Sequence, residues 1–330
     1  MVRLNIEDKR YSNFSDYTIN LKLNAIASVF KFNALNDILN NVIGFEKCEI
    51  FKDNDLLLTG YILVPQYKVT SKPELISISG YSLPGILEDV QIPVSLYPLQ
   101  SDNLNLQEIT RKYLSSFDID AVFDDTIQTE SLKNYKKIIA DETQTIKSFL
   151  NELASQRGII LTHNEKGNLV FTRINVNTLI PVETFSEGDK GIYSMSLDIS
   201  GQQLHSEITV IRQASRDNPD SAQSTIQNPY CSIFRPKVTT LSSGDLFDID
   251  KAARRQLSNE LTSITLTINT TKFIKPGNLI TVTSESLKLN KTEFIIQETE
   301  INGDVKDEKY TLKCVLKDVY SNNIVTRKIN

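Results

Sequence analysis

A chain of 330 residues is long enough for two or three domains and a substantial core. Its apolar fraction of 40% and charged fraction of 23% are those of an ordinary globular protein. With 36 basic and 41 acidic residues the net charge is −5, which argues against holding nucleic acid by neutralising phosphates; a neutral or acidic wall would instead let a polyanion slide past.

Along the chain, a period-2 signal is read first at residues 17–23, where Tyr17, Ile19, Leu21 and Leu23 share one face of a strand. Strands follow around Cys48–Phe51 and from Leu56 to Val64, the latter interrupted by Gly60 and ended by Pro65. Tyr67–Val69 and Leu75–Ser79 pair across the turn Thr70-Ser71-Lys72-Pro73. Four or more short strands in 80 residues imply a small antiparallel barrel or sandwich. Beyond about residue 100 the period changes. Asn105 with Glu108 is a helix-capping pair, and Leu106, Ile109, Tyr113 and Phe117 recur at helical spacing. A second helix spans about 142–157, capped by Asp141 with Gln144 and stopped by Gly158; its stripe is Ile146, Phe149, Leu150, Leu153 and Ala154. Ile159–Thr162 and Leu169–Arg173 then form a hairpin.

Strand signals resume at Tyr193–Ile199 and Glu207–Arg212. The polar run Gln213–Phe247 reads as a long loop, either mobile or docked on a partner. A helix from Asp248 to about Leu261 turns Ile249, Ala252, Ala253 and Leu257 inward. The last strands are centred on Ile264–Ile268, Leu279–Val282, Phe294–Ile296 and Tyr310–Leu316. Thr59-Gly60-Tyr61-Ile62-Leu63 is mirrored by Thr292-Glu293-Phe294-Ile295-Ile296, each followed by an alternating strand. Either any two antiparallel hairpins look alike, or one barrel occurs twice.

Nothing in the chain argues for catalysis. His163 in a turn and His205 at a strand start lie near no nucleophile pattern, so both read as structural. Asp118, Asp120, Asp124 and Asp125 fit neither a calcium loop nor a glycosidase pair and read as a solvated acidic loop. Gly188, Gly191 and Gly201 form no phosphate cradle. Cys48, Cys231 and Cys314 are far apart with no CxxC pair, so neither a disulfide framework nor a zinc site is expected. No catalytic, cofactor-binding or metal residue is assigned. The start lacks a signal-type apolar run and no 18-residue apolar span exists, so the expectation is assembly in a cytoplasm without stable membrane insertion.

Several segments taken in order carry a resemblance: Ala25–Phe30, Leu58–Ile62, and Ser79-Gly80-Tyr81-Ser82 through Leu87-Glu88-Asp89. Glu142–Gly158 with Gly167-Asn168-Leu169, Ser200-Gly201-Gln202 through Val210, Arg235-Pro236-Lys237-Val238 and Ala252-Ala253-Arg254-Arg255 continue it. The set is similar to the baseplate hub proteins of contractile-tailed phages: the Mu-type hub, the late control protein D family and the amino-terminal part of VgrG spikes. Tyr81 stands where that family usually has Arg. The resemblance implies a mainly β chain with an α+β insertion. Two similar antiparallel, tube-like β-barrels would occupy 1–95 and 190–212 with 261–330; 96–189 would form a mixed helix-hairpin domain and 213–260 a lateral loop and helix. It further implies a structural, non-enzymatic virion component without cofactors, assembled in a bacterial host cytoplasm. Three copies would form a ring joining a sixfold tail tube to a threefold central spike beside baseplate wedge proteins. DNA or tape-measure protein would pass through it without specific nucleic-acid binding. The alternatives are a β-rich binding or adhesion module of the tail, weakened by the absence of Trp, and a cell-wall hydrolase.

Overall fold

The computed structural model describes residues 2–35, 42–68, 75–135, 137–212, 222–240 and 249–321. Two compact units result: Met1–Arg173 with Glu298–Tyr310, and Ile174–Gln297 with Thr311–Asn330.

The first unit begins with β1 (Val2–Ile6), β2 (Lys9–Tyr11), β3 (Asp16–Lys22), β4 (Val29–Leu35), β5 (Lys47–Lys52), β6 (Asp55–Lys68) and β7 (Leu75–Ser82). They lie in the order β3-β4-β7-β6-β5-β1-β2, every neighbour antiparallel. The period-2 alternation supplies the core: Ile19, Phe30, Phe32, Ile50, Ile76 and Ile78 are all buried. Full burial contributes roughly 1.5–3 kcal/mol for each such side chain. β1 is absent from the sequence-based reading, although Val2, Leu4 and Ile6 alternate with Arg3 and Asn5 and are buried against β5. Pro65 does not end its strand. Among the described residues, backbone bonding between β6 and the β5 side stops at Ile62, and a bulge lies between Ile62 and Val64. A residue without an N–H therefore costs no ladder bond there. β6 and β7 pair up to Lys68 and Leu75; the turn Thr70–Pro73 lies outside the described residues.

After Ser82 come α1 (Ile86–Asp89), β8 (Gln100–Asp102), α2 (Leu106–Leu114), β9 (Ala121–Phe123), α3 (Gln128–Ser131), β10 (Lys137–Ile139), α4 (Ile146–Gln156), β11 (Ile160–His163) and β12 (Leu169–Thr172). α2 starts as its sequence implied: Asn105 accepts from the Glu108 N–H at 3.0 Å, and Glu108 accepts from the Asn105 N–H at 2.9 Å. α4 starts later than the Asp141 signal suggested. Its cap is Thr145, which accepts from the Ser148 N–H at 3.2 Å. Extended backbone at Gln144–Ile146 bonds to Val90 and Ile92, and this bridge keeps the helix from beginning sooner. Asp141 and Gln144 close only the preceding turn. Gly158 ends the helix segment with φ of +65°. The expected hairpin forms and gains β9 in parallel beside β12, a three-residue strand too short to show periodicity. Tyr113 of α2 and Phe149 of α4 meet at 4.8 Å between ring centroids, within a core that includes Ile26 and Phe171.

The second unit contains β13 (Glu183–Ser186), β14 (Ile192–Ile199), β15 (Glu207–Arg212), β16 (Ala222–Gln227), β17 (Pro236–Thr240), α5 (Ile249–Leu261), β18 (Ile264–Thr270), β19 (Leu279–Ser284), β20 (Leu289–Asp304) and β21 (Glu308–Leu316). β20 belongs to this unit through Gln297, and β21 from Thr311. The larger sheet runs β14-β18-β21-β20-β19-β13, and a smaller one runs β16-β15-β17. The smaller sheet corrects the reading of 213–247 as loop, because two of its parts pair with both edges of β15. Alternating Thr, Ser and Gln obscured these strands; residues 213–221 and 241–248 lie outside the described set. α5 turns Ala253 and Leu257 into the core with Ile208 and Val210, and Ile249 and Ala252 pack partly buried against it. The chain is thus mainly β with an α+β insertion. Among the described residues no ladder closes either sheet into a barrel.

Candidate assembly surface

The same strand order occurs twice. In the first unit β3, β4, β5, β6 and β7 lie as β3-β4-β7-β6-β5; in the second β14, β18, β19, β20 and β21 lie as β14-β18-β21-β20-β19. Counting each set along the chain, both read first, second, fifth, fourth, third. The fourth strand is the longest of each set, 14 and 16 residues. The fifth runs into a short 3-10 turn in both, Leu83–Gly85 and Lys317–Tyr320. Backbone bonds fix the match between the long strands. The Ile62 N–H donates to the Glu46 carbonyl at 3.0 Å and the Phe45 N–H to that of Ile62 at 2.6 Å. Likewise the Ile296 N–H donates to Asn278 at 3.0 Å and the Gly277 N–H to Ile296 at 2.8 Å. Ile62 therefore corresponds to Ile296, one residue from the pairing that the sequence comparison suggested.

Segments far apart in sequence meet within each unit. Gly80 sits where β7 crosses β6 so closely that a Cβ would lie 1.9 Å from the Tyr61 carbonyl oxygen; at Gly60 it would lie 2.2 Å from that of Tyr81. Tyr81, in the position of the family's Arg, donates its hydroxyl to Asp89 at 2.6 Å, joining the two ends of the Ser79–Asp89 segment. That hydrogen bond and burial push its phenol above the ordinary range, burial being the larger cause. The hairpin carrying Gly167-Asn168-Leu169 packs here too: a Cβ on Gly167 would meet Leu83 at 2.5 Å, and Thr59 donates to the Glu165 carbonyl at 2.8 Å. In the second unit Arg235 reaches the Gly201 and Gln202 carbonyls at 2.6 and 3.1 Å, tying together two more of the segments that carry the resemblance.

The titratable groups hold structure together. His163 Nδ1 faces the Asn164 carbonyl at 3.1 Å and so carries the proton; its Nε2, 2.7 Å from the Ser28 hydroxyl, accepts from it. Ser28 also accepts from the Lys22 N–H, and burial pushes the imidazole below its ordinary pKa. His205 and Lys237 share the Glu260 carboxylate at 2.8 and 3.1 Å, which joins α5 to the β15–β17 sheet. Asp124 is a cap rather than part of a solvated loop: it accepts from the Thr126 N–H at 2.9 Å and the Thr172 hydroxyl at 3.2 Å, and these bonds lower its pKa. Burial raises both buried thiols, that of Cys48 to about 12, as fits small apolar residues. Glu308 collects the Tyr17 hydroxyl at 2.5 Å, the Tyr310 hydroxyl and the Lys52 ammonium. No sequence signal could have shown that cluster, since its members lie up to 291 residues apart. A depression lined by Ser186, Glu187 and Thr283–Ser286 is polar, with Glu187 held to about 2 by bonds from Ser286 and Ser284. Among the described residues no group of three or more His, Cys, Asp or Glu is placed to hold a metal ion, and no helix is long and apolar enough to cross a membrane.

Four of the exposed apolar residues lie around the second half of β6, while others, among them Val94, Ile180, Phe234 and Val305, are spread elsewhere. Val64 and Tyr67 on the second half of β6 are 59% and 49% exposed, and Ile43 and Phe45 beside it are 87% and 78% exposed. Tyr67 is anchored by its hydroxyl to the Val42 carbonyl at 2.5 Å. Among the described residues β14 pairs with β18 alone.

No protein-family profile matches the sequence, and no curated protein matches it. Solved structures do match. The 43 kDa tail protein of prophage MuSo2 from Shewanella oneidensis is 18% identical, with a TM-score of 0.82 over 97% of this chain and 99% of that one. The tail protein from Neisseria meningitidis MC58 is 20% identical, with a TM-score of 0.81 over 97% of each chain. An Escherichia coli component of the type VI secretion system, described as structurally similar to the T4 tail proteins gp27 and gp5, is 10% identical; its TM-score is 0.61 over 98% of this chain and 79% of that one. The chain has the fold of phage tail proteins and of type VI secretion components related to them.

Proposed function

We propose that this chain is a structural baseplate hub protein of a contractile phage tail or related injection device, located in the virion and without catalytic activity. Three copies form a ring that adapts a sixfold tail tube to a threefold spike and encloses the ejection channel. The observation that carries this reading is the repeated strand order. A threefold assembly presents six equivalent surfaces only when each chain brings two near-copies of the contacting module. The ring modules are the strands β3–β7 within 1–95 and β14 with β18–β21 within 190–199 and 261–330, while the helix-hairpin part of 96–189 and the β15–β17 sheet with α5 lie peripherally. Likeness of fold to the prophage tail proteins supports the same setting. Partners are the tube, the spike and baseplate wedge proteins; DNA or tape-measure protein passes without specific binding.

Light scattering of the purified chain, alone and with its spike and tube proteins, tests the stoichiometry. A trimer with a central hole in electron micrographs is expected. A chain that remains monomeric with both neighbours present, or a ring with no hole, refutes the reading.

A further inference from the structure

Within the first unit the helix-hairpin part meets the β3–β7 strands along a narrow seam. Among the described residues Ile26 is the one member of those strands and their connections in the apolar core that Tyr113 and Phe149 share. The segment Leu23–Ser28, which joins β3 to β4, is held there by polar groups on both sides. Thr162 of the hairpin donates to the Ala25 carbonyl at 3.3 Å, and Ser82 donates to that of Ile26 at 2.7 Å. At the end of the segment Ser28 is fully buried, and each of its polar groups is used. Its N–H donates to the Ser82 hydroxyl at 3.0 Å and its carbonyl accepts from the Ser82 N–H at 2.9 Å. Its hydroxyl oxygen accepts from the Lys22 N–H at 2.9 Å, and its hydroxyl proton goes to His163 Nε2 at 2.7 Å. This arrangement suits the neutral ring alone. A protonated imidazole donates from both nitrogens, so Nε2 would turn a proton toward Ser28 and the Ser28 proton would lose its acceptor. Burial lowers the His163 pKa, and Glu165, on the same turn, is the charged side chain that acts in the opposite sense. The elements packed against the ring present uncharged groups to it: Ser28 from the β3–β4 segment, with the Lys22 N–H of β3 and the Ser82 hydroxyl of β7 bonded behind Ser28.

We propose that the His163–Ser28 pair is an acid-sensitive latch: when His163 takes up a proton, the hairpin turn 163–168 parts from the Leu23–Ser28 segment while both flanking cores stay folded. Each side keeps a core of its own. Ile19, Phe30, Phe32 and Ile78 remain buried between the strands, and Leu106, Phe149, Leu150 and Phe171 remain buried in the helix-hairpin part. What opens is the seam, where one apolar side chain and a few hydrogen bonds hold the two together; such sparsely packed contacts open below the free energy of global unfolding. Opening bares Ile26 and releases the Ser28 hydroxyl, and the chain itself still links the two parts at Ser82–Leu83. The latch lies within one chain and stands whether or not the chain forms a ring.

Hydrogen–deuterium exchange of the full chain, read by mass spectrometry as protection factors so that the intrinsic pH dependence of exchange cancels, tests the latch. As the pH falls from about 7.5 to about 5, peptides covering residues 22–30 and 158–170 should lose up to about tenfold protection per pH unit below the ordinary histidine pKa of about 6.5. Peptides covering Lys47–Lys52 and Leu106–Leu114 should hold theirs. His163→Gln stays uncharged and keeps an oxygen to accept from Ser28, so it should abolish the pH dependence. Glu165→Gln, at an exposed position that spares the core, removes the charge favouring the protonated ring and should move the onset to lower pH. The chain has two histidines, so their imidazole proton resonances are assigned by substitution, and that of His163 should titrate in step with the loss of protection. Seam protection that is independent of pH in the parent chain, or that falls equally in His163→Gln, overturns the proposal. So does a loss shared by all four peptides, which would be global unfolding, or an onset that Glu165→Gln leaves unmoved.

Discussion

Gly80→Ala puts the close crossing of β6 and β7 to a direct test. A Cβ at that site would lie 1.9 Å from the Tyr61 carbonyl oxygen and 2.8 Å from the tip of Phe30, a side chain only 3% exposed. Ordinary van der Waals contact begins near 3.4 Å, so the strands must part by more than an ångström. The oxygen belongs to the backbone and cannot rotate away. Overpacking of this kind costs roughly 1–3 kcal/mol, and losing one ladder bond adds about 1 kcal/mol. We expect about 3 kcal/mol of destabilisation, which for a unit of this size lowers its Tm by about 6–12 °C. Urea and thermal unfolding followed by far-ultraviolet circular dichroism measure it. Gly201→Ala is the control, since its Cβ would meet nothing within 4 Å, and it should change stability by less than about 0.5 kcal/mol. If Gly80→Ala is as mild as that control, the strands do not cross as closely as described and the reasoning fails.

Two further perturbations probe the polar network. His163 is held neutral, its pKa depressed below the unfolded value of 6.5, so the unfolded chain takes up the proton first. Its contribution is complete above about pH 6.5 and falls with pH toward the depressed value, by at most about 1.4 kcal/mol per pH unit. The lowered carboxyls of Asp124 and Glu187 lose their contribution only below about pH 4.5. Urea unfolding between pH 5 and 6.5 should therefore show a slope in the parent chain that His163→Gln reduces; an identical slope in both refutes the assignment. Glu308→Ala removes the common acceptor of Tyr17, Tyr310 and Lys52, whose ammonium side chain is only 16% exposed. About 2 kcal/mol should be lost. A change below about 0.5 kcal/mol in urea unfolding would mean that water replaces the carboxylate without cost.

Where periodicity ran unbroken, the sequence was readable: Ile264, Leu266 and Ile268 form one face of β18, and the α2 cap with Leu106, Ile109 and Tyr113 falls where the residues place it, whereas Phe117 lies past the helix end at Leu114. It misled where tertiary contacts outweigh local preference. The Asp141 signal is a sound cap, but Gln144–Ile146 is drawn into a bridge with Val90–Ile92, and the helix waits for Thr145. Pro65 breaks strands in general, yet here it faces the side of β6 that bonds to nothing among the described residues. β16 and β17 carry too few apolar residues to alternate visibly, and β15 supplies the order that their own composition lacks. His163 and His205 were read as structural from the absence of any nucleophile nearby; their partners, Ser28 and Glu260, lie 135 and 55 residues away and left no local mark.

The repeat was nearly invisible in sequence for a physical reason. Gly60 corresponds to Phe294, which is fully buried, so one module closes this position by bringing two backbones together and the other by filling it with an aromatic ring. Either solution makes a dense core, and neither constrains the other, so residue identity drifts while the ladders persist. The insertions sit at different points as well: 200–263 separates the first and second strands of one module, where only Leu23–Ser28 separates them in the other. What both modules keep is the strand order and a fourth strand that outruns its neighbour. An overhang contributes nothing to its own module's core and leaves an edge able to pair elsewhere. The overhang of β20 uses that edge to pair with β3, Glu298 opposite Lys22 and Asp304 opposite Asp16.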